Sequence, residues 1–192
     1  MTATLNAPLV SADMPVSTVL EALPGARRAL FARYHIGGCS SCAFHPGESL
    51  AELCARNENI PVAEMIDHLL TSHENDLRLQ ISPTELAAEL AEAEDEGLAL
   101  HLIDLRTREE HEAVAIPGSQ LFSQDLQREA FATWDKADLV VLYDHTGPRA
   151  LDAAAYFAGH GFTKVKALAG GIDRYSLEAD PALPRYQVEF ES

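Results

Sequence analysis

Apolar positions along the chain recur with two different periods. Up to about residue 72 they return every three or four places, as on a helix with one buried face. Residues 17–23 make a short amphipathic stretch. Pro24 can open a helix that turns Ala29, Leu30 and Phe31 inward before the turn at Ile36, Gly37 and Gly38. Ser49 can cap a helix carrying Leu50, Leu53 and Cys54, and Pro61 can open another carrying Met65, Ile66, Leu69 and Leu70.

From Ile81 onward strands and helices alternate. Ser82-Pro83-Thr84-Glu85 starts a helix toward Gly97, residues 98–105 and 138–143 read as buried strands, and Thr107 can cap a short helix. An alanine-rich helix over 149–159, a strand over 165–168 and a short helix over 172–177 follow. Such alternation predicts an α/β fold, a small parallel sheet with helices on both faces. The expected organisation is a flexible lead-in at 1–12, an all-α domain at 13–72, a linker at 73–79, the α/β domain at 80–186 and a tail at 187–192.

Charge narrows the partners. Lys and Arg total 14 against 30 Asp and Glu, a net charge of −16, most of it beyond Arg78. Such a surface repels phosphate backbones and anionic headgroups, so neither nucleic acid nor membrane is expected as a partner. No apolar run approaches a membrane span, and the first basic residue is Arg27, so no secretory signal is expected. Three cysteines, an odd number, do not make an extracellular disulfide framework. The expectation is a cytoplasmic protein with chemically available thiols.

Those thiols carry the first candidate chemistry. Cys39 and Cys42 form a C-x2-C pair after Gly37-Gly38, with Cys54 twelve residues on. A dithiol at that spacing can close into a disulfide or carry a persulfide. The alternative is a Cys3His set of Cys39, Cys42, Cys54 and His45 for zinc, or the same residues around an iron–sulfur cluster. A third reading is that the cysteines only fill gaps between helices. The redox or persulfide reading requires no cofactor.

The stretch GGCSSCAFHPGESLAELC, followed by NIPVAEMIDHLL, resembles the hybrid-cluster-protein-associated redox-disulfide domain over residues 16–70. That resemblance implies thiol-redox chemistry at the C-x2-C without naming a reaction.

Further on, Ile103-Asp104-Leu105-Arg106, Glu109-Glu110-His111, Ile116-Pro117-Gly118-Ser119, Val140-Val141-Leu142-Tyr143 and Leu168-Ala169-Gly170-Gly171-Ile172 resemble the successive signatures of a rhodanese (sulfurtransferase) domain, over about residues 79–186. The resemblance implies Asp104 and Arg106 as a buried structural pair, and chemistry in the loop after Tyr143. There the family carries a cysteine, then four residues and an arginine, with backbone N–H groups wrapped around the sulfur at a helix N-terminus. Here that loop is Asp144-His145-Thr146-Gly147-Pro148-Arg149, so the cysteine position holds Asp144. A carboxylate neither attacks sulfane sulfur productively nor stores it as a persulfide, which argues against thiosulfate sulfurtransferase activity at this loop.

Three roles for Asp144 follow. It could cap the helix, fill the anion cradle and leave the domain to recognise something else, or act in acid/base chemistry with His145. Arg149 could pair with it or bind an outside anion. Together these features suggest a catalytically silent rhodanese-like protein in sulfur or thiol-redox metabolism. Cys39 and Cys42 would be its reactive groups, and a protein partner in sulfur or redox transfer, or a small anion, would be recognised by the second domain. The competing expectation is a non-enzymatic metal or iron–sulfur sensor built on the three cysteines and His45.

Overall fold

Helix caps and strand periodicity set the element boundaries. A computed structural model describes residues 10–37, 44–45 and 47–186. The chain divides into two compact units, Met1–Arg78 and Leu79–Ser192.

The first unit is helical: α1 (Val16–Ala22), α2 (Ala26–Tyr34), α3 (Leu50–Arg56) and α4 (Val62–Arg78). Val19, Leu30, Leu50, Leu53, Met65 and Leu69 form its core. Ser49 and Glu52 make a reciprocal capping box at the start of α3, satisfying two amides that the helix itself leaves open. The chain before α1 crosses that start: Leu50 N–H donates to Met14 O at 3.0 Å and Val16 N–H to Glu48 O at 2.8 Å.

Three expectations change here. Phe31 is 51% exposed, because the buried stripe of α2 runs through Ala26, Ala29 and Leu30 and the next position lies about 100° further around the helix. Residues 73–78 of the expected linker are the last turns of α4, where buried Asp76 pairs with Arg28 of α2. Residues 10–12, expected within the lead-in, already pack: Val10 lies against the core and Ala51 N–H donates to Ala12 O at 2.8 Å. Residues 1–9 and 187–192 lie outside the described residues.

The second unit has the α/β fold. Its elements are β1 (Gln80–Ile81), α5 (Pro83–Glu96), β2 (Leu100–Asp104), α6 (Arg108–Ala113), β3 (Gln120–Leu121), α7 (Gln124–Thr133), β4 (Leu139–Tyr143), α8 (Pro148–Gly159), β5 (Lys164–Leu168) and α9 (Gly171–Glu178). The five strands are parallel in the order β1-β5-β4-β2-β3. Period-two alternation splits β4 between two cores. Val140 and Leu142 join Ala150, Ala154 and Phe157 of α8, while Val141 and Tyr143 join Leu86 of α5 and Ile172 and Tyr175 of α9. Both faces of the sheet are therefore covered. β1, β3 and α7 are additions that the sequence pattern did not reveal.

Candidate functional site

The loop of residues 144–149 joins the carboxyl end of β4 to α8, the place where open parallel sheets hold ligands. Gly147 allows the turn: its φ is 112°, and a Cβ there would lie 3.1 Å from Gly170 N. The loop rests on the turn before α9, with Ile172 N–H donating to Asp144 O at 3.0 Å and Asp173 N–H to His145 O at 3.2 Å. Asp144 itself is 4% exposed. Its Oδ1 accepts from Gly147 N–H, and its Oδ2 accepts from Arg149 N–H at 2.9 Å. Both amides lie at the start of α8, where partial positive charge favours a carboxylate.

A buried polar network supports the adjoining strand ends. Asp104, fully buried at the end of β2, accepts from the Arg106 amide at 3.0 Å and from its guanidinium at 2.9 and 2.6 Å. His111 Nδ1–H donates to it at 2.8 Å and the Tyr143 hydroxyl at 2.9 Å. Burial alone would push the Asp104 carboxyl up, but the bonds from Arg106 and His111 outweigh it and hold the group below its ordinary range. Burial raises the Tyr143 phenol, and the neighbouring Asp104 charge adds to that rise. Arg106 also donates from Nη2 to Val114 O at 2.7 Å and from Nη1 to the Tyr186 hydroxyl at 2.6 Å. The Tyr186 hydroxyl in turn donates to Glu110 at 2.9 Å.

A cleft of about 650 Å³ opens over the loop, lined by Thr146, Pro148 and Arg149 of the loop and by Arg106, Glu110 and Tyr186. Three arginines reach it. Arg106 is bound to Asp104, and Arg185 holds Asp173 through two bonds of 2.9 and 3.0 Å. Arg149 supplies its amide to Asp144, but its guanidinium makes no ion pair with Asp144 or with any other described residue. Of the two roles expected for Arg149, the pairing with Asp144 is thus a backbone contact. His145 is not bonded to Asp144 either: its Nδ1 is buried without a hydrogen-bond partner, and its ring lies 4.8 Å from that of Tyr186. The Asp144–His145 acid/base pair is not formed.

Glu110, His111, Tyr143, Asp173, Arg185 and Tyr186 are site residues the sequence did not single out as such. His111 carried a signal, seven residues after Asp104 and on the helix that Thr107 caps. Tyr186 carried none, since it meets Arg106 across 80 positions.

Of the N-terminal candidates, Cys39 and Cys42 lie outside the described residues. Cys54 is buried in α3 with its Sγ 3.3 Å from the Met65 sulfur, and burial pushes its thiol pKa up. His45 is exposed, and its amide donates to Glu48 at 2.7 Å. Arg56 grips the same carboxylate at 2.8 and 2.9 Å. Among the described residues no three His, Cys, Asp or Glu side chains gather as a metal site, and no helix is long and apolar enough to cross a membrane.

A five-stranded parallel sheet between two helical layers, with an amide-lined loop between its fourth strand and the next helix, defines a class of α/β domain. Residues 82–178 match the rhodanese-like domain, and the chain belongs to that family. It is 33% identical over 94 residues to the Rhodanese-like/PpiC domain-containing protein 12, chloroplastic, of Arabidopsis thaliana, covering 44% of this chain and 30% of that protein. It is 34% identical over 108 residues to the probable adenylyltransferase/sulfurtransferase MoeZ of Mycobacterium tuberculosis, covering 55% of this chain and 26% of that one. The chain thus spans less than a third of the length of these curated relatives. A rhodanese-like domain protein from Staphylococcus aureus superposes with a TM-score of 0.42 at 22% identity, covering 56% of this chain and 98% of that one.

Proposed function

We propose that this protein works in sulfur or thiol-redox metabolism with a rhodanese-like unit that is itself catalytically silent. The observation that carries this reading is the Asp144 carboxylate: it is buried, and the amides of Gly147 and Arg149 are spent on it. In the family's frame that place belongs to a sulfur nucleophile, and a carboxylate there takes up the donors while repelling anionic substrates. The likeness to a protein named as a probable sulfurtransferase supports the sulfur connection.

The reactive thiols are then Cys39 and Cys42 of the helical unit, whose sequence resembles the redox-disulfide domain. They exchange disulfides or carry a persulfide in the reducing cytoplasm, and the rhodanese-like unit recognises the protein partner, or a small anion at Arg149. No resident cofactor is needed. The zinc or iron–sulfur alternative fits less well, since Cys54 would have to leave the core, where its thiol faces Met65 and is favoured as the neutral form.

The test is cyanide-releasable sulfur on protein purified without oxygen. Wild type should carry it, and the Cys39→Ser/Cys42→Ser double variant should not; sulfur that persists in the double variant overturns the proposal. Wild type should also lack thiosulfate:cyanide transfer. Asp144→Cys should gain it if the loop keeps the cradle.

A further inference from the structure

The segment after α9 returns to the cleft. Leu183 packs on the core cluster that includes Ile172 and Tyr175, anchoring the base of this segment. Beyond it, among the described residues, Pro184, Arg185 and Tyr186 make their hydrogen bonds to the unit through side chains alone. Arg185 grips Asp173 of α9, and Tyr186 inserts its hydroxyl between Arg106 and Glu110 while its ring lies against His145. Those three partners of Tyr186 belong to β2–α6 and to the loop after β4, so one side chain bridges two walls of the cleft. Among the described residues, no backbone–backbone hydrogen bond tethers residues 184–186 to the rest of the unit.

We infer that residues 184–186 are a strap, hinged after Leu183, that closes one side of the cleft over the 144–149 loop. Closed, the strap uses the Nη1 donor of Arg106 and the Glu110 carboxylate on the Tyr186 hydroxyl. Open, it returns both to the cleft and uncovers His145, whose Nδ1 then has room for a partner. A ligand that brings its own acceptor to Arg106 and donor to Glu110 replaces the hydroxyl bond for bond, so binding and opening are coupled. The two latches differ in strength. The Arg185–Asp173 pair is half exposed and weak, whereas the Tyr186 hydroxyl bonds two charged groups in a partly buried place.

The strap is tested by access to position 144, independently of sulfur transfer, so this inference and the proposed function can fail separately. A thiol is placed there by Asp144→Cys in a Cys39→Ser/Cys42→Ser background, and its reaction with an aromatic disulfide reagent is timed. Adding Tyr186→Phe should speed that reaction roughly fivefold or more, and Arg185→Ala, separately, should speed it by a smaller factor, as expected when the stronger or the weaker latch of a closed state is removed. Trp134, the single tryptophan, lies in the same unit and shows by its fluorescence that the unit stays folded. Acceleration in either variant with the Trp134 unfolding midpoint unchanged supports the strap. Unchanged rates in both overturn it.

Discussion

Tyr143 and Asp104 are in-register partners on β4 and β2, and the Tyr143 hydroxyl donates to the Asp104 carboxylate at 2.9 Å. Neighbours in register on parallel strands point to the same face, so the pair meets directly above the sheet. The loop that begins one residue after Tyr143 therefore starts from a fixed point. Ser119 and the Ile116 amide also reach the Tyr143 hydroxyl, at 2.8 and 3.3 Å, which brings the approach to β3 into the same network.

Asp104 should make stability fall with acid. Its folded pKa lies below the ordinary value, so on acidification the unfolded carboxyl takes up a proton before the folded one does. The contribution is complete above the unfolded value of roughly 4 and disappears as pH falls through the lower folded value. His111→Ala removes one of the donors that hold the pKa down. It should cost about 1–3 kcal/mol at neutral pH, and the variant should lose less than wild type between pH about 5 and pH about 3, the range in which the carboxyl titrates. Urea denaturation from neutral pH down through that range checks both, and parallel wild-type and variant curves would refute the assignment.

Much of this frame was legible because local chemistry repeats it. Capping boxes at Ser49–Glu52, Ser82–Glu85 and Thr107–Glu110 mark three helix starts, and the apolar run before Tyr143 marks the central strand. The Asp144 loop was legible for the same reason, lying between a strand and a proline-opened helix. What failed was decided at a distance. The polar run before Arg78 reads as a linker unless Asp76 is known to meet Arg28, 48 positions away. β3 is two residues long, too short to show a period. Tyr186, just after Pro181 and Pro184 at the end of the expected α/β domain, carries no local signal until the fold brings it to Arg106.

Gly171 should tolerate no side chain. Its φ is 61°, and a Cβ would press into the carbonyl oxygens of Asp144 and His145, which are backbone and cannot swing aside. Gly171→Ala should cost at least about 2 kcal/mol from the left-handed backbone and the displaced loop. Thermal unfolding followed at Trp134 measures this, and a midpoint within a degree of wild type would contradict the close approach.

Cys54 should behave as a core side chain. In the Cys39→Ser/Cys42→Ser background, a thiol reagent at mildly alkaline pH should consume no thiol in the native protein and one in denaturant. Its buried sulfur touches Met65, and its raised pKa keeps it protonated. Cys54→Ser should destabilise more than Cys54→Ala, because a hydroxyl without a partner there costs about 1–3 kcal/mol. Rapid native labelling of Cys54 would place it outside the core.

The Asp144 loop makes the sharpest demand on a single atom type. Two N–H groups, from Gly147 and Arg149, point at the two carboxylate oxygens. Asparagine keeps the shape but offers one oxygen and one NH2 group, so one backbone donor would face another donor. Alanine removes both acceptors but lets water from the cleft reach the two amides. Asp144→Asn should therefore be at least as destabilising as Asp144→Ala, by about 1–3 kcal/mol relative to wild type, which reverses the usual order for a conservative and a truncating change. Chemical denaturation of the two variants decides it. An asparagine variant as stable as wild type would mean that the carboxylate does not bind both amides, and the self-filled cradle would go with it.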